Sequence, residues 1–570
     1  MSRGYHPLRG IVLALTTMTI LAVACGGAAA PTATPGQAPA APTATRAAAA
    51  PTVAAPAAPT PTSVAGLATT VSPPSARPSG KVTIAVADAG AQHLDPHQTV
   101  GGAEGAIIGF MFEGLLGSQL DGTLEGRLAA SWRALDNATL WEFKVRPGVK
   151  FHNGDSVTAE DVKYSFDKVI KDSGTSSPQL KARIDNVQVV DQQTVRIKLK
   201  LPFAIFDTEG AATAIVPKGY VEKIGATEFA KAPVGTGPFK FASRRLDEFA
   251  SFEAFDGHWR RAPLVKDATL RFAAESSVRL AMLKTGETDI IGGVTPTQAQ
   301  EISSSAGLRN LEAKGTSMMW MWPFGATKID AAGTHIPSSS PWANKLVRQA
   351  ANYAIDRDAI VNGLFRGSAE PMVTVVMPGA VGYNPALKPY SYDPKKAREL
   401  LAQAGFPNGF TTDLYATPHA AISFTEDTTV AVAKMWADVG IKSDIRKMDY
   451  GTYLVQVRER KIDGIGVIAT VFQPNGWSTL NLYSSAKGCW CSMMWDESID
   501  ADLAKAAAES DRDQRVKIIQ DMVARDYEAS GNIFLVYGNT TYGVNSRIKE
   551  WPQQRGYGYV ARVDLLQLSR

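Results

Sequence analysis

Between Phe143 and Phe166 the chain reads FKVRPGVKFHNGDSVTAEDVKYSF, and the order of its periodicities leaves few ways to fold it. Phe143, Val145, Val149 and Phe151 alternate with Lys144, Arg146, Lys150 and His152, the period of two expected where one face of a strand is buried. Pro147-Gly148 divides that run into two predicted strands, and Asn153-Gly154 turns the chain sharply. Thr158, followed three residues later by Asp161, is a capping-box-like start for a helix whose Val162 and Phe166 share one face at i and i+4. Strands feeding directly into a capped helix predict a mixed α/β protein. Asp155, Thr158 and Asp161 are expected to shape and cap that helix and not to touch a ligand.

The N-terminal part obeys different rules. Arg3 and Arg9 precede an apolar run from Ile11 to Val23, the length of a secretory signal core and too short to span a bilayer. Residues 1–24 are therefore read as a signal peptide and the chain as exported. Ala24 before Cys25, with Gly26-Gly27 after it, looks like a lipobox in which Cys25 is lipidated. It departs from that pattern in placing Ala22 where Leu is usual, with Leu21 one position early. Simple cleavage beside an incidental cysteine is the alternative. From Ala28 to Gly80 the sequence is mostly Ala, Pro, Thr, Ser, Val and Gly, with no acidic or aromatic residue and only Arg46 and Arg77 charged. Such a segment cannot bury enough apolar surface to offset the entropy of ordering it. Residues 25–80 are accordingly expected to be a lipid anchor and a disordered, semi-stiff spacer.

Folded sequence is expected from Lys81, leaving about 490 residues, enough for two or more lobes. The formal charge of +4 falls to +2 without Arg3 and Arg9, which gives no electrostatic footprint for nucleic acid. Besides Cys25 the chain holds only Cys489 and Cys491, flanking Trp490. In an oxidising compartment these two can bridge, although one intervening residue strains the bond. A thiolate metal site is the other reading, but no histidine lies near them in sequence.

The stretch GVKFHNGDSVTAEDVKYS, following Leu128-Ala-Ala-Ser-Trp132, closely resembles the signature of the bacterial extracellular solute-binding proteins of family 5. Further landmarks agree: Leu94-Asp95-Pro96, Val234-Gly-Thr-Gly-Pro-Phe-Lys-Phe241, Phe255-Asp-Gly-His-Trp259, Gly286-Glu287 with Asp289, Val347-Arg-Gln-Ala350, Ala354-Ile-Asp-Arg357, and Asp393-Pro394 opening a helix that closes at Gly405. They cover nearly all of 81–570. The resemblance implies an α/β, two-lobe periplasmic-binding-protein-like fold of type II, in the large class with an extra subdomain inserted in lobe I. By analogy lobe I spans 81–315 plus 531–570, its insertion about 117–231, and lobe II 316–530. It also implies a receptor that closes on a solute and delivers it to an ABC permease with its ATPases. It would be anchored at the cell membrane, on the periplasmic or cell-wall side, as a monomer.

The residues themselves speak against catalysis. There is no Gly-x-Ser-x-Gly elbow, no His-Glu-x-x-His, no phosphate-cradling loop, and only seven histidines, of which His93 and His97 are separated by a helix-breaking Pro96. No cofactor, metal or catalytic residue is expected, and a secreted hydrolase is the remote alternative. A binding cleft needs apolar walls and a few polar groups. Trp320 and Trp322, in a run that alternates as a strand, and Phe472, Gln473, Asn475, Trp477 and Trp490 are the candidates. Core packing is the competing reading for each tryptophan. The family's peptide binders, by resemblance, carry an ammonium-pairing aspartate in the segment corresponding to 468–480. Here no Asp or Glu stands between Asp463 and Asp496. A buried ammonium without a counter-charge is strongly disfavoured. The sequence thus favours a neutral amphiphile, such as a sugar or a blocked or modified peptide. An ordinary peptide, paired by a carboxylate from elsewhere in the fold, remains open.

Overall fold

The period-two runs read from the sequence become two sheets. In a computed structural model of the chain the described residues are 77–87, 94–98, 102–119, 123–171, 178–329, 335–417, 424–459, 461–485, 497–553 and 562–569. Cys25, the spacer to residue 76, His93, Cys489, Trp490, Cys491 and Trp495 lie outside them.

The larger sheet has eleven strands and is organised by two long ones, Leu308–Pro323 and Ile533–Asn545, which lie antiparallel at its centre. Beyond the first lie Ile465–Val471, Phe410–Ala416 and Ile441–Lys447. Beyond the second lie Ile290–Ile291, Lys81–Val86, Asp267–Phe272, Phe249–Ala254 and Phe239–Arg245. Lys81–Val86, at the expected start of the folded sequence, runs parallel to both its neighbours. The two long strands slip register between Ala313 and Ser317. At that slip Gly315 takes φ +59°, its N–H donating to Asn539 Oδ1 at 3.0 Å, and Thr316 Oγ1 bonds Gly538 O at 3.1 Å. A side chain at Gly538 would come within 2.5 Å of Ser317 Oγ, so this crossing is tight as well as irregular.

On the first long strand Met318, Trp320 and Trp322 enter one hydrophobic cluster, and Met319 and Met321 enter another on the opposite face. The second cluster is covered by Lys345–Tyr353, Pro394–Gln403 and Thr425–Ala437. Asp393 caps Pro394–Gln403 as the sequence predicts, its Oδ1 accepting from Lys396 N at 2.9 Å. Two buried arginines tie this layer to residues 529–534, and among the described residues neither forms an ion pair with a carboxylate. Arg357 donates to Phe534 O at 2.8 Å, Asn352 O at 3.0 Å, Asn352 Oδ1 at 2.8 Å, Tyr390 O at 3.2 Å and Ile355 O at 3.3 Å. Arg348 does the same with Ser530 O, Ala529 O, Trp342 O and Ala343 O. Burial lowers both guanidinium pKa values to about 10, so both remain charged at neutral pH.

The smaller sheet, in the order Ala129–Leu135, Leu140–Val145, Thr194–Leu199, Ile184–Asp191, is antiparallel throughout. The helix Ala159–Lys171 packs on it with Val162 and Phe166 fully buried. Asp161 Oδ2 accepts from Thr158 N at 2.9 Å and from Thr158 Oγ1 at 2.7 Å, the capping role expected of it. One expectation is corrected. Val149–Phe151 is not a strand: beyond Gly148 at φ +77° it makes only the bridge Lys150↔Ser156. Val149 and Phe151 are still buried, so the alternation reports burial in a loop tightened by Asn153-Gly154.

A buried polar cluster joins the loop after the helix Gly102–Met111 to the loop after the strand Phe249–Ala254. Trp259 Nε1 and Arg260 Nη2 donate to Glu113 at 2.7 and 3.0 Å, with His258 Nε2 3.4 Å away. Burial alone would raise the Glu113 pKa, but His258 and Arg260 hold it far below the usual carboxylate range. Nearby, His152 accepts from Gly235 N at 3.2 Å and bonds Gly237 O at 2.9 Å. Burial drives its pKa down to about 4.

Candidate functional site

After Val471 the chain leaves the sheet, and Asn475 starts the helix Gly476–Tyr483 by accepting from Trp477 N at 2.9 Å. The other end of the same side chain reaches outward, Nδ2 donating to Thr208 Oγ1 at 3.0 Å. Thr208 belongs to the short helix Phe206–Glu209, which follows the small sheet. The Phe203 ring meets Trp477 edge-on at 5.3 Å, and Ala204 N donates to Ala507 O at 2.6 Å. Trp477 Nε1 is satisfied by Leu503 O at 2.8 Å. A seam between the small-sheet layer and residues 472–515 is thus closed by aromatic packing and a few directed hydrogen bonds.

Charge is concentrated along this seam. The Arg183 guanidinium lies 4.1 Å over the Phe203 ring and 5.2 Å over Trp477, and makes no hydrogen bond among the described residues. Asp207 and Glu209 flank Thr208. Asp207 Oδ1 is buried without a hydrogen-bond partner, and its charge faces Arg515 and Arg512. Glu209 faces the Ser478 hydroxyl, whose Oγ makes no hydrogen bond of ordinary geometry, and then Arg183. Burial pushes both carboxyls above their ordinary range, and it depresses Arg183. The segment from Gly464 to Ser485 holds no carboxylate, as the sequence shows, yet Glu209 reaches Ser478 in it from more than 250 positions earlier.

The predicted aromatic residues converge only in part. Trp320 and Trp322 share a face of their strand and are fully enclosed, edge-on to each other at 5.9 Å, with Tyr483 at 5.0 Å from Trp320. Trp320 Nε1 is a buried donor with no partner. Phe472, Asn475 and Trp477 are buried and Gln473 is half-buried, whereas Trp490 lies outside the described residues. One hydrophobic cluster contains Trp320, Trp322, Phe472 and Trp477 together with Phe203 and Phe206. Two surface grooves, of about 390 and 480 Å³, are lined by Pro296–Asn310 with Phe365–Ser368 and by Glu160–Lys171 with Lys218 and Glu222, away from these residues. Sequence reading missed Arg183, Asp207 and Glu209. Their only signal was a pair of acids directly after the apolar run Phe203–Phe206. Among the described residues no cluster of His, Cys, Asp or Glu is placed to hold a metal, and no helix is long and apolar enough to cross a membrane.

Comparison with known proteins gives a consistent result. Residues 123–488 match the family described as bacterial extracellular solute-binding proteins, family 5 Middle. The glutathione-binding protein GsiB of Escherichia coli K12 is 32% identical over 396 residues, covering 68% of this chain and 72% of the relative. GsiB of Pectobacterium atrosepticum is 29% identical over 465 residues, covering 78% and 86%. Among solved structures, HbpA2 from Haemophilus parasuis superimposes with a TM-score of 0.74 at 23% identity, over 86% of this chain and all of that one. DppA from Helicobacter pylori, in complex with the peptide STSA, gives 0.66 at 23% identity over 86% and 98%. Both are two-lobe periplasmic binding proteins, and the fold of this chain is theirs.

Proposed function

We propose, since the chain belongs to the bacterial extracellular solute-binding proteins of family 5, that it is the substrate-binding lipoprotein of an ABC importer, that its solute is a short peptide or peptide-like molecule, and that the solute is held between the lobes. Lobe I is taken as 81–315 with 531–570, carrying the insertion at about 117–231, and lobe II as 316–530. The two long central strands then serve as the crossing between lobes, and the slip at Gly315 as the place where they twist. Cys25 is the lipid attachment point and residues 25–80 the tether, so the folded part stands off the membrane as a monomer within reach of the permease. Cys489 and Cys491 form a local disulfide.

Of the solute classes open to the sequence, a charged peptide is favoured over a neutral amphiphile by one observation: Glu209 lies against Ser478 of the carboxylate-free segment, beside the hydrogen bond from Asn475 to Thr208. The glutathione-binding relatives point the same way. Native mass spectrometry of the freshly isolated protein, and again after incubation with a mixture of peptides and glycans, tests the reading. An intact peptide retained by the protein is the expected result, whereas retention of a glycan alone overturns the peptide class and turnover of the mixture overturns the receptor. Mass analysis of the mature N-terminus, expected to begin at a diacylated Cys25, tests the anchor.

A further inference from the structure

We propose that the surface groove between the helix Pro296–Ser304 and the turn Phe365–Ser368 is the space into which the two lobes swing on opening, so that bulk placed in it holds the receptor closed without touching the solute. This rests on the receptor reading and lobe division above, and adds a control point remote from the solute.

The groove, of about 390 Å³, lies behind the crossing between the lobes. Trp320 and Trp322 of the first long strand join the cluster that holds Phe203 and Trp477 of the seam, whereas Phe365 joins Met319 and Met321 on the opposite face. One wall belongs to lobe I: Ile302 packs with Leu283 and Ile291, and Asn310 Nδ2 pins the helix by donating to Ala299 O at 2.7 Å and to Ser303 Oγ at 2.8 Å. The other wall, Phe365–Ser368, belongs to lobe II and is tied to the strand slip. Asn539, whose Oδ1 holds Gly315 N, donates its own N–H to Ser368 O at 3.2 Å. An axis through that slip has the seam on one side and the groove on the other. Parting the seam by rotation about it therefore narrows the groove.

What spans the groove suits a gap that changes width. Arg366 donates to Gln300, and Ser368 Oγ to Glu312, with Arg366, Gln300 and Glu312 exposed. The facing helix contributes the short side chains of Ala299, Ser303 and Ser304. Long polar tips and short walls slide past one another, where interlocked apolar side chains would resist. Arg366 also sits at φ +49°, just before Gly367 at φ +86°. Glycine would adopt that backbone without strain, so what an arginine adds there is the reach of its side chain.

The test compares the purified protein with Ala299→Trp, Ser304→Trp and Arg366→Ala, by small-angle X-ray scattering without solute and by titration calorimetry with glutathione. The segment before Lys81 is common to all four, so differences in scattering report the lobes. Either indole should make the solute-free protein more compact than wild type. Where the closed form is a minority of about 10%, a groove that no longer narrows should tighten glutathione binding by up to about 10-fold. Arg366→Ala, which removes a bond across the groove and widens it, should loosen the protein and weaken binding roughly 2- to 10-fold, the loss of about one hydrogen bond. Tighter binding is the decisive sign, because damage to the fold only weakens it, and two indole positions guard against one that does not fold. If both indole variants scatter and bind as wild type does, or Arg366→Ala is the more compact, the groove has no such role and the receptor reading stands. If neither wild type nor any variant binds glutathione or a member of a peptide mixture, the peptide reading falls and scattering alone judges the groove: compaction by either indole sustains it, and no compaction overturns it.

Discussion

Arg357 offers the sharpest test of how the layers are held together. It is almost wholly enclosed, carries a charge at neutral pH, and has no acid beside it, only five oxygen acceptors at 2.8–3.3 Å. Lowering its pKa from 12.5 to about 10 corresponds to roughly 3 kcal/mol of unfavourable burial, which Arg357→Met would release. Against that gain stand the acceptors. Asn352 O keeps a donor in Ile355 N, and Asn352 Oδ1 keeps Phe534 N at 3.1 Å, which leaves the carbonyls of Phe534, Tyr390 and Ile355 short of one. At about 2 kcal/mol for each orphaned buried acceptor, the loss outweighs the gain by roughly 3 kcal/mol. Arg357→Lys should recover less than half of this, because an ammonium cannot span acceptors on a helix, two loops and a strand. The measurement is the urea midpoint at constant slope, followed by circular dichroism. A midpoint for Arg357→Met within about 0.5 kcal/mol of wild type would refute the view that this guanidinium fastens helix Arg357–Gly363 to the second long strand.

Further outcomes follow from the same structure. His152, with its pKa held near 4 by burial, takes up a proton later on acidification than it does unfolded, so its contribution is full above pH 6.5 and is lost as pH falls toward 4; His152→Gln should flatten that part of a melting-temperature profile. Asp207 and Glu209 have the opposite sign: their raised folded pKa values favour stability at low pH, so Asp207→Asn with Glu209→Gln should stabilise the unliganded protein at pH 7 and make no difference below the ordinary carboxyl values of 3.8 and 4.5. The groups facing them are Arg183, Arg512, Arg515 and Ser478. Gly315→Val, forced to φ +59°, should cost about 1–2 kcal/mol in thermal stability and slow ligand-induced closure in stopped-flow fluorescence. Asp393→Ala, losing the cap on Lys396 N, should cost about 1 kcal/mol by the same unfolding assay.

Local signals in the sequence were read well where one side chain decides the geometry. The capping aspartates at 161 and 393, the turn at Gly154 and the shared face of Trp320 and Trp322 all depend on neighbours a few residues away. What stayed hidden depends on distant contacts. The second long strand runs on well past its apolar stretch Ile533–Tyr537, through Gly538, Asn539 and Gly543, which in sequence look like breakers. In the fold they are close approaches: a side chain at Gly538 would strike Ser317, and one at Gly543 would strike Ile302 and Leu283. Val149–Phe151 shows the converse, a period of two that marks burial without a partner strand. The acids at 207 and 209 carried no periodic or motif signal, since their surroundings form only once Thr208 meets Asn475 across the seam.

The position of the strand Ile533–Asn545 sets an order of events for the growing polypeptide. It fills the middle of the large sheet, between partners that begin at residues 290 and 308, yet it is made last of all the long strands. Until it arrives, Leu308–Pro323 and Ile290–Ile291 each present a row of unpaired backbone groups, and neither half of the sheet can close. A chain stopped short of residue 533 would expose two sticky edges, whereas one held extended until its last forty residues emerge could fold both halves in a single act.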